Sequence, residues 1–232
     1  MKNSTKIFYN TKVNKNAKQL GLLSRFYYIL NRFETHRSQA TIDLIKNDKY
    51  DYILDIGCYD GSLLYKLNSL LKPKKIFGCD IHKNAIIKCQ NIFRNTPNEF
   101  KIIDINENLK YPSNYFDLIT IIAVLEHTFD PVSIIKMIYK MLKKNGILIV
   151  EVPNIAFLKH RINLFFGLRP RTSWDYGWDG GHMQLFTFKD LSKLLEDNGF
   201  TIISSTGSGI FAKLRNIWKS LLFSDIIIKA KK

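Results

Sequence analysis

Residues 52–64, YILDIGCYDGSLL, join an apolar run, a turn with two glycines and the start of a helical pattern. The run contains Asp55, and the turn carries Gly57 and Gly61. This order predicts a first strand, a ligand-binding loop and a covering helix that begins near Ser62. Because ligands of doubly wound α/β sheets bind beyond the carboxyl ends of the strands, we expect the binding site at this loop.

The glycine spacing argues against a dinucleotide ligand. The G-x-G-x-x-G fingerprint needs glycine at positions 57, 59 and 62 of this chain. Two of those positions hold Tyr59 and Ser62. The pattern present is D-x-G-x-x-x-G over residues 55–61, and Asp80 ends the next apolar run, KIFGCD.

These two motifs resemble those of the class I S-adenosylmethionine-dependent methyltransferases, whose first motif ends strand one and whose second ends strand two. The resemblance runs from about residue 50 to residue 200. It implies an α/β fold with a Rossmann-like, doubly wound, mostly parallel sheet of seven strands. The last strand, within residues 225–232, is expected to be antiparallel and to lie between strands five and six.

The resemblance also implies S-adenosylmethionine as the cofactor. In the expected site, Asp80 accepts hydrogen bonds from the ribose hydroxyls, Asp104 lies beside the adenine amino group, and the helix N-terminus holds the methionine carboxylate. The alternatives are an N-cap role for Asp80 and a plain polar turn at Asp104. The full set of predicted cofactor-binding residues is Asp55, Gly57, Cys58, Gly61, Asp80, Ile81, Asp104, Ile105 and Ala123.

Two histidines are the candidate catalytic residues. His127 follows the predicted fourth strand, and His182 lies in a D-x-x-H-x-x-x-F block similar to one in methyltransferases of glycans and lipid-linked sugars. Histidine titrates near neutral pH, so either can take the proton of an acceptor hydroxyl; the alternative is a structural role. In quinone-pathway O-methyltransferases an E-x-x-E-H motif here is associated with a metal. Ala123 replaces its first acid, so no metal is predicted.

The chain divides into a basic, flexible arm over residues 1–18 and a single methyltransferase domain over residues 19–232. A helical leader, residues 19–48, precedes the first strand, and an insertion over residues 154–186 is expected on the acceptor side. Apolar positions in residues 210–222 predict a helix that packs on the sheet or rests on an anionic membrane. The insertion is alternatively a lid packed by its own aromatic side chains. Its predicted substrate-binding residues are Arg169, Arg171, Trp174, Tyr176 and Trp178.

Composition sets the broad class. The chain has 232 residues, 46% of them hydrophobic, and a formal charge of +15. The charge indicates either a solvated basic surface or an anionic partner. Three cysteines without a C-x-x-C pair favour neither a disulfide framework nor a zinc site. With no apolar signal segment at the start, the prediction is a cytoplasmic protein, with peripheral membrane contact left open.

These observations predict methyl transfer to a hydroxyl on a glycan, a lipid-linked sugar or another small molecule. One alternative is an RNA-directed methyltransferase, which the positive charge favours. The segment after the fourth strand, AVLEH, lacks the N-P-P-Y or D-P-P-Y tetrapeptide of base-methylating families. The other alternative is a non-catalytic module that binds the cofactor or a membrane. The sequence does not predict the oligomeric state.

Overall fold

The computed structural model describes residues 36–107, 109–173, 179–209 and 216–232. The basic arm, most of the helical leader and residues 210–215 of the predicted C-terminal helix lie outside these ranges. Three of the predicted substrate-binding residues, Trp174, Tyr176 and Trp178, lie outside them as well.

One seven-stranded sheet forms the centre of the fold, with the order β3-β2-β1-β4-β5-β7-β6. Strands β1 to β5 are parallel to one another, and β7 runs antiparallel between β5 and β6. The predicted fold class and the position of the last strand are thus confirmed. The strands are β1 (Tyr52–Ile56), β2 (Lys75–Asp80), β3 (Glu99–Ile102), β4 (Phe116–Ile122), β5 (Leu142–Pro153), β6 (Thr201–Gly207) and β7 (Asp225–Lys231).

Helices cover both faces of this sheet. Two of them begin with side-chain caps: Asp130 accepts the Ser133 N–H at 3.0 Å, and Thr187 forms a capping box with Asp190. The helices are α1 (Arg37–Ile45), α2 (Ser62–Leu71), α3 (Lys83–Ile92), α4 (Pro131–Met141), α5 (Leu158–Phe165), α6 (Phe188–Asp197) and α7 (Lys219–Leu222). None of the helices in the described ranges meets the length and apolarity required of a membrane span.

The core lies in two apolar layers, one on each face of the sheet. Side chains of β1 alternate between them, with Leu54 and Ile56 in one layer and Ile53 in the other. Because β1, β4 and β5 are buried on both faces, they read as continuous apolar runs in the sequence. This burial fixes the register of the strands, so the loops at their carboxyl ends meet along one edge of the sheet.

Three local elements differ from the sequence-based expectation. The run FKIID, residues 100–104, predicts a third strand that ends at Asp104, but β3 ends at Ile102 because the Asp104 carboxylate accepts the Asn106 N–H at 2.9 Å and closes a turn. The insertion contains the helix α5, which the irregular pattern did not predict. In the described part of residues 210–222, only the four residues of α7 are α-helical.

Candidate functional site

The loop after β1 is pressed against the segment that follows β4. Gly57 has a φ of 76°, and a Cβ built there would lie 2.1 Å from the Val124 Cγ2 atom. The backbone N–H groups of Gly57 and Cys58 donate to the Cys79 carbonyl at 2.8 and 3.0 Å. Only glycine fits both the left-handed backbone and this close approach.

Gly61 begins the helix α2 and has a φ of 74°. A Cβ there would lie 2.9 Å from the Cys89 Sγ atom. As the N-cap residue, glycine offers no side-chain oxygen to the first N–H groups of the helix. The Asp60 carboxylate accepts the Ser62 N–H at 3.1 Å, so the next N–H groups of α2 are the ones that could bind the cofactor's carboxylate.

Asp80 ties together the loops that follow β1 and β2. Its Oδ2 atom accepts the Tyr59 N–H at 2.9 Å, and its Oδ1 atom accepts the His82 N–H at 2.8 Å. The N-cap of α3 is His82, so the structure does not place Asp80 in the N-cap role. The Nδ1 atom of the exposed His82 ring also lies 3.0 Å from Oδ1, so one of about four acceptor positions remains open, and a second opens when this ring turns away. With the ring turned away, the carboxylate can accept both ribose hydroxyls of the predicted nucleoside.

Asp55 lies in β1, two residues before Gly57. Its side chain is buried, and the Thr120 hydroxyl donates to its Oδ1 atom at 2.6 Å. Burial, the largest cause, raises the pKa of the Asp55 carboxyl to about 7, although the Thr120 hydrogen bond opposes that rise. Asp55 thus links β1 to β4 directly before the loop.

We expect the raised pKa of Asp55 to make the protein less stable as the pH rises from about 4 to about 7. The folded protein keeps a proton that the unfolded chain releases near its ordinary pKa of 3.8, so folding stability falls across this window. Between pH 5 and pH 8, the free energy of unfolding measured with urea should fall by about 2 kcal/mol more for wild type than for Asp55→Asn. An equal fall in the two proteins would contradict the raised pKa of Asp55, because the other buried acids contribute equally in both.

The other predicted cofactor residues surround the same strand ends. Ile81 is 57% exposed beside Asp80, and Ile105 packs partly against the core beyond β3. Ala123 has a φ of 55° directly after β4. The Cys58 thiol is buried with its Sγ atom 3.9 Å from that of Cys89. The structure brings these positions to one edge, and their contacts with a cofactor stay predictions.

The two candidate catalytic histidines lie together, with ring centroids 4.7 Å apart. The Nδ1 atom of His127 lies 3.3 Å from the Gly181 carbonyl oxygen, which can only accept. The Nδ1 atom of His182 lies 2.7 Å from the Thr172 hydroxyl, which donates its proton to Asp179 at 2.8 Å. For neutral rings, these contacts place the proton on Nδ1 and leave Nε2 as the acceptor in both histidines.

Glu126 completes this group, which we call the histidine cluster: Glu126, His127 and His182. The Oε1 atom of Glu126 lies 3.9 Å from the Nε2 atom of His182. Glu126 is 1% exposed, and no described residue forms a hydrogen bond with either of its carboxylate oxygens. Burial raises its pKa to about 7. Glu126 is not among the site residues predicted from the sequence, although it keeps the second acid of the E-x-x-E-H motif beside His127.

The described part of the insertion carries basic and apolar side chains. Arg169 lies with its Nη2 atom 3.7 Å from Oδ2 of Asp179, so it contributes to the loop that holds His182. Arg171 is exposed. At the end of α5, Phe165 and Phe166 are 84% and 69% exposed. The insertion begins directly after β5, at the edge of the sheet where its parallel strands end.

The sheet order and the loops at its carboxyl edge define a methyltransferase fold. A family model described as "Methyltransferase domain" matches residues 29–205, and the chain belongs to that family. It is a class I S-adenosylmethionine-dependent methyltransferase, as the sequence predicted, and therefore an enzyme. A solved S-adenosylmethionine-dependent methyltransferase from Mesorhizobium loti has a TM-score of 0.62 at 12% identity, over 84% of this chain and 97% of that one.

Among the curated relatives, two tRNA-modifying enzymes match a shorter part of this chain than the family model does. The tRNA U34 carboxymethyltransferase of Helicobacter hepaticus is 35% identical over 111 residues, which is 43% of this chain and 34% of that protein. The enzyme of the same name from Sulfurimonas denitrificans is 31% identical over 122 residues, 50% of this chain and 40% of that protein. The chain thus spans less than half the length of these relatives.

Proposed function

We propose that this methyltransferase acts on RNA and transfers the methyl group of S-adenosylmethionine to a nucleotide hydroxyl. The observation that carries the proposal is the similarity to two enzymes named for tRNA. Neither name refers to a glycan or a lipid-linked sugar, so RNA replaces the acceptor that the sequence favoured. The formal charge of +15 agrees with an anionic macromolecule as substrate.

The insertion offers a surface suited to RNA, which we call the α5 surface: Lys159, Arg161, Phe165, Phe166 and Arg171. All five residues are exposed. Lysine and arginine neutralise phosphates, and exposed aromatic rings stack on unpaired bases. The surface begins within a few residues of the carboxyl end of β5, so an RNA bound there can present one nucleotide to the histidine cluster.

The main task of the protein in methyl transfer is to position the two reactants. S-adenosylmethionine supplies a methyl group that its sulfonium already activates, and in-line alignment with water excluded lowers such a barrier by about 7 to 11 kcal/mol. As the acceptor oxygen forms its bond to carbon, the carbon–sulfur bond breaks and its electron pair goes to sulfur. The hydroxyl proton leaves towards the histidine cluster, which lies at the end of β4.

The proposal predicts that the purified protein binds total tRNA in a salt-dependent manner and labels it from methyl-labelled S-adenosylmethionine. Replacing both rings, Phe165→Ala with Phe166→Ala, should weaken tRNA binding by tenfold or more, because each stacked base contributes about 1 to 3 kcal/mol. Tyr65→Ala removes a ring of 59% exposure from α2 and should leave binding unchanged.

Binding should be measured by fluorescence anisotropy at two salt concentrations, and label by digestion of the tRNA to nucleosides. Affinity that does not change with salt would contradict an electrostatic RNA surface. Label that appears in glycan or lipid fractions of a host extract, and not in its RNA, would overturn the proposed acceptor.

A further inference from the structure

We propose that the histidine cluster binds a divalent transition-metal ion of the Zn²⁺ type. The donors are one carboxylate oxygen of Glu126 and one ring nitrogen each of His127 and His182. This inference goes beyond the proposed function, because metal binding does not depend on which molecule accepts the methyl group.

The geometry of the donors is the first argument. One ligand atom from each of the three side chains lies within 4.8 Å of the other two. Ligands at about 2.1 Å from a Zn²⁺ ion lie roughly 3 to 4 Å apart, so small side-chain rotations close the triangle. The distance of 3.9 Å between the Glu126 Oε1 atom and the His182 Nε2 atom already falls in that range.

The second argument is the buried carboxylate of Glu126. A buried carboxylate that makes no hydrogen bond is costly unless something compensates its charge. Neither oxygen of Glu126 has a hydrogen-bond partner among the described residues. Its side chain lies against His182 at the point where the ion would sit, and a cation there satisfies the carboxylate.

The third argument is the orientation of the two rings. The Gly181 carbonyl accepts from the Nδ1 atom of His127. The Thr172 hydroxyl accepts from the Nδ1 atom of His182 and itself donates to Asp179. Metal-binding histidines commonly donate their second ring N–H to a carbonyl or carboxylate, which orients the ring and raises its basicity. In both rings Nε2 is then the atom that can bind the metal ion.

The donor set selects the type of ion and its role. Two imidazoles and one carboxylate suit Zn²⁺ or a similar transition metal better than Mg²⁺, which prefers oxygen ligands. Three protein ligands leave a coordination position open, as in catalytic zinc sites. A bound ion of this type would lower the pKa of an acceptor hydroxyl at that position, and the two histidines would hold the ion; in the protein without the ion they remain the candidate bases.

The sequence predicted no metal, because Ala123 stands where a related motif has an acid. The structure supplies a third donor from elsewhere: His182 reaches the cluster from the insertion, 55 positions after His127. The Thr172 hydroxyl, which is bound to Asp179, orients the ring of His182, and sequence spacing does not reveal these contacts.

The test uses the untagged full chain, stripped with a chelator and dialysed against Zn²⁺, with metal content measured by plasma mass spectrometry. Wild type should retain one Zn²⁺ per chain, and Mg²⁺ should not displace it. Glu126→Gln and His182→Gln should each weaken Zn²⁺ binding by tenfold or more. After loading with Co²⁺, the visible absorption bands should report nitrogen and oxygen ligands and should change in both variants.

The matched control lies outside the cluster. His160 is a buried histidine on α5. His160→Gln should keep wild-type Zn²⁺ affinity. Where Glu126→Gln fails to fold, the half-buried His127→Gln replaces it. A wild type that retains no Zn²⁺, or equal losses in cluster and control variants, would overturn the proposal.

Discussion

Asp80→Ala should lower the affinity for S-adenosylmethionine by 100-fold or more. In the proposed complex the Asp80 carboxylate accepts hydrogen bonds from both ribose hydroxyls, and a hydrogen bond to a charged group contributes about 1.5 to 3 kcal/mol. The variant also loses the two backbone contacts, from Tyr59 and His82, that hold the loops after β1 and β2. Isothermal titration calorimetry measures the affinity directly.

The matched control is Asp104→Ala. Asp104 also follows a strand of the same edge, but its carboxylate accepts hydrogen bonds from Asn106 in an exposed turn. Its contribution is at most one contact with the adenine, so we expect a loss of affinity below tenfold. Circular dichroism would show that both variants fold. Equal losses in the two variants would contradict the ribose assignment of Asp80.

Gly57→Ala should both destabilise the fold and impair cofactor binding. A left-handed backbone costs a residue with a Cβ about 1 to 2 kcal/mol. At position 57 the new methyl group also overlaps the Val124 side chain, with 2.1 Å between Cβ and Cγ2, and forcing atoms into a packed site adds about 1 to 3 kcal/mol. The displaced loop should lower cofactor affinity by at least tenfold.

The variant Gly167→Ala distinguishes the cost of the left-handed backbone from the cost of the overlap with Val124. Gly167 has a φ of 71°, close to that of Gly57, but a Cβ there meets nothing within 4 Å. Urea unfolding should therefore show a smaller loss of stability for Gly167→Ala, and calorimetry should show unchanged cofactor affinity. The same loss of stability in both variants would mean that the contact with Val124 has no energetic consequence.

The sheet was predictable from sequence because its signals are local. Parallel strands buried on both faces read as short apolar runs, and acids or glycines follow their carboxyl ends. The apolar runs over residues 52–56 and 116–122 coincide with β1 and β4 for that reason. The predicted third strand, residues 100–104, starts one residue after β3 and extends two residues beyond its end, since the turn made by Asp104 and Asn106 ends the strand.

The acceptor side of the site depends on contacts between distant segments. Glu126 and His182 approach each other only because the insertion folds back, with the Met183 and Gln184 N–H groups donating to the Glu126 carbonyl. No periodicity or spacing encodes such a contact. The exposure of Phe165 and Phe166 is equally a property of the folded chain, because the irregular pattern of the insertion does not predict which of its apolar side chains are exposed.

The central claim is that the loop after β1 and the acid that ends β2 form a pocket for S-adenosylmethionine. Calorimetric titration of the purified protein with S-adenosylmethionine, and with its demethylated product S-adenosylhomocysteine, tests this claim most directly. We predict saturable binding of both nucleosides with one site per chain. A folded protein that releases no heat and gains no thermal stability with either nucleoside would contradict the account.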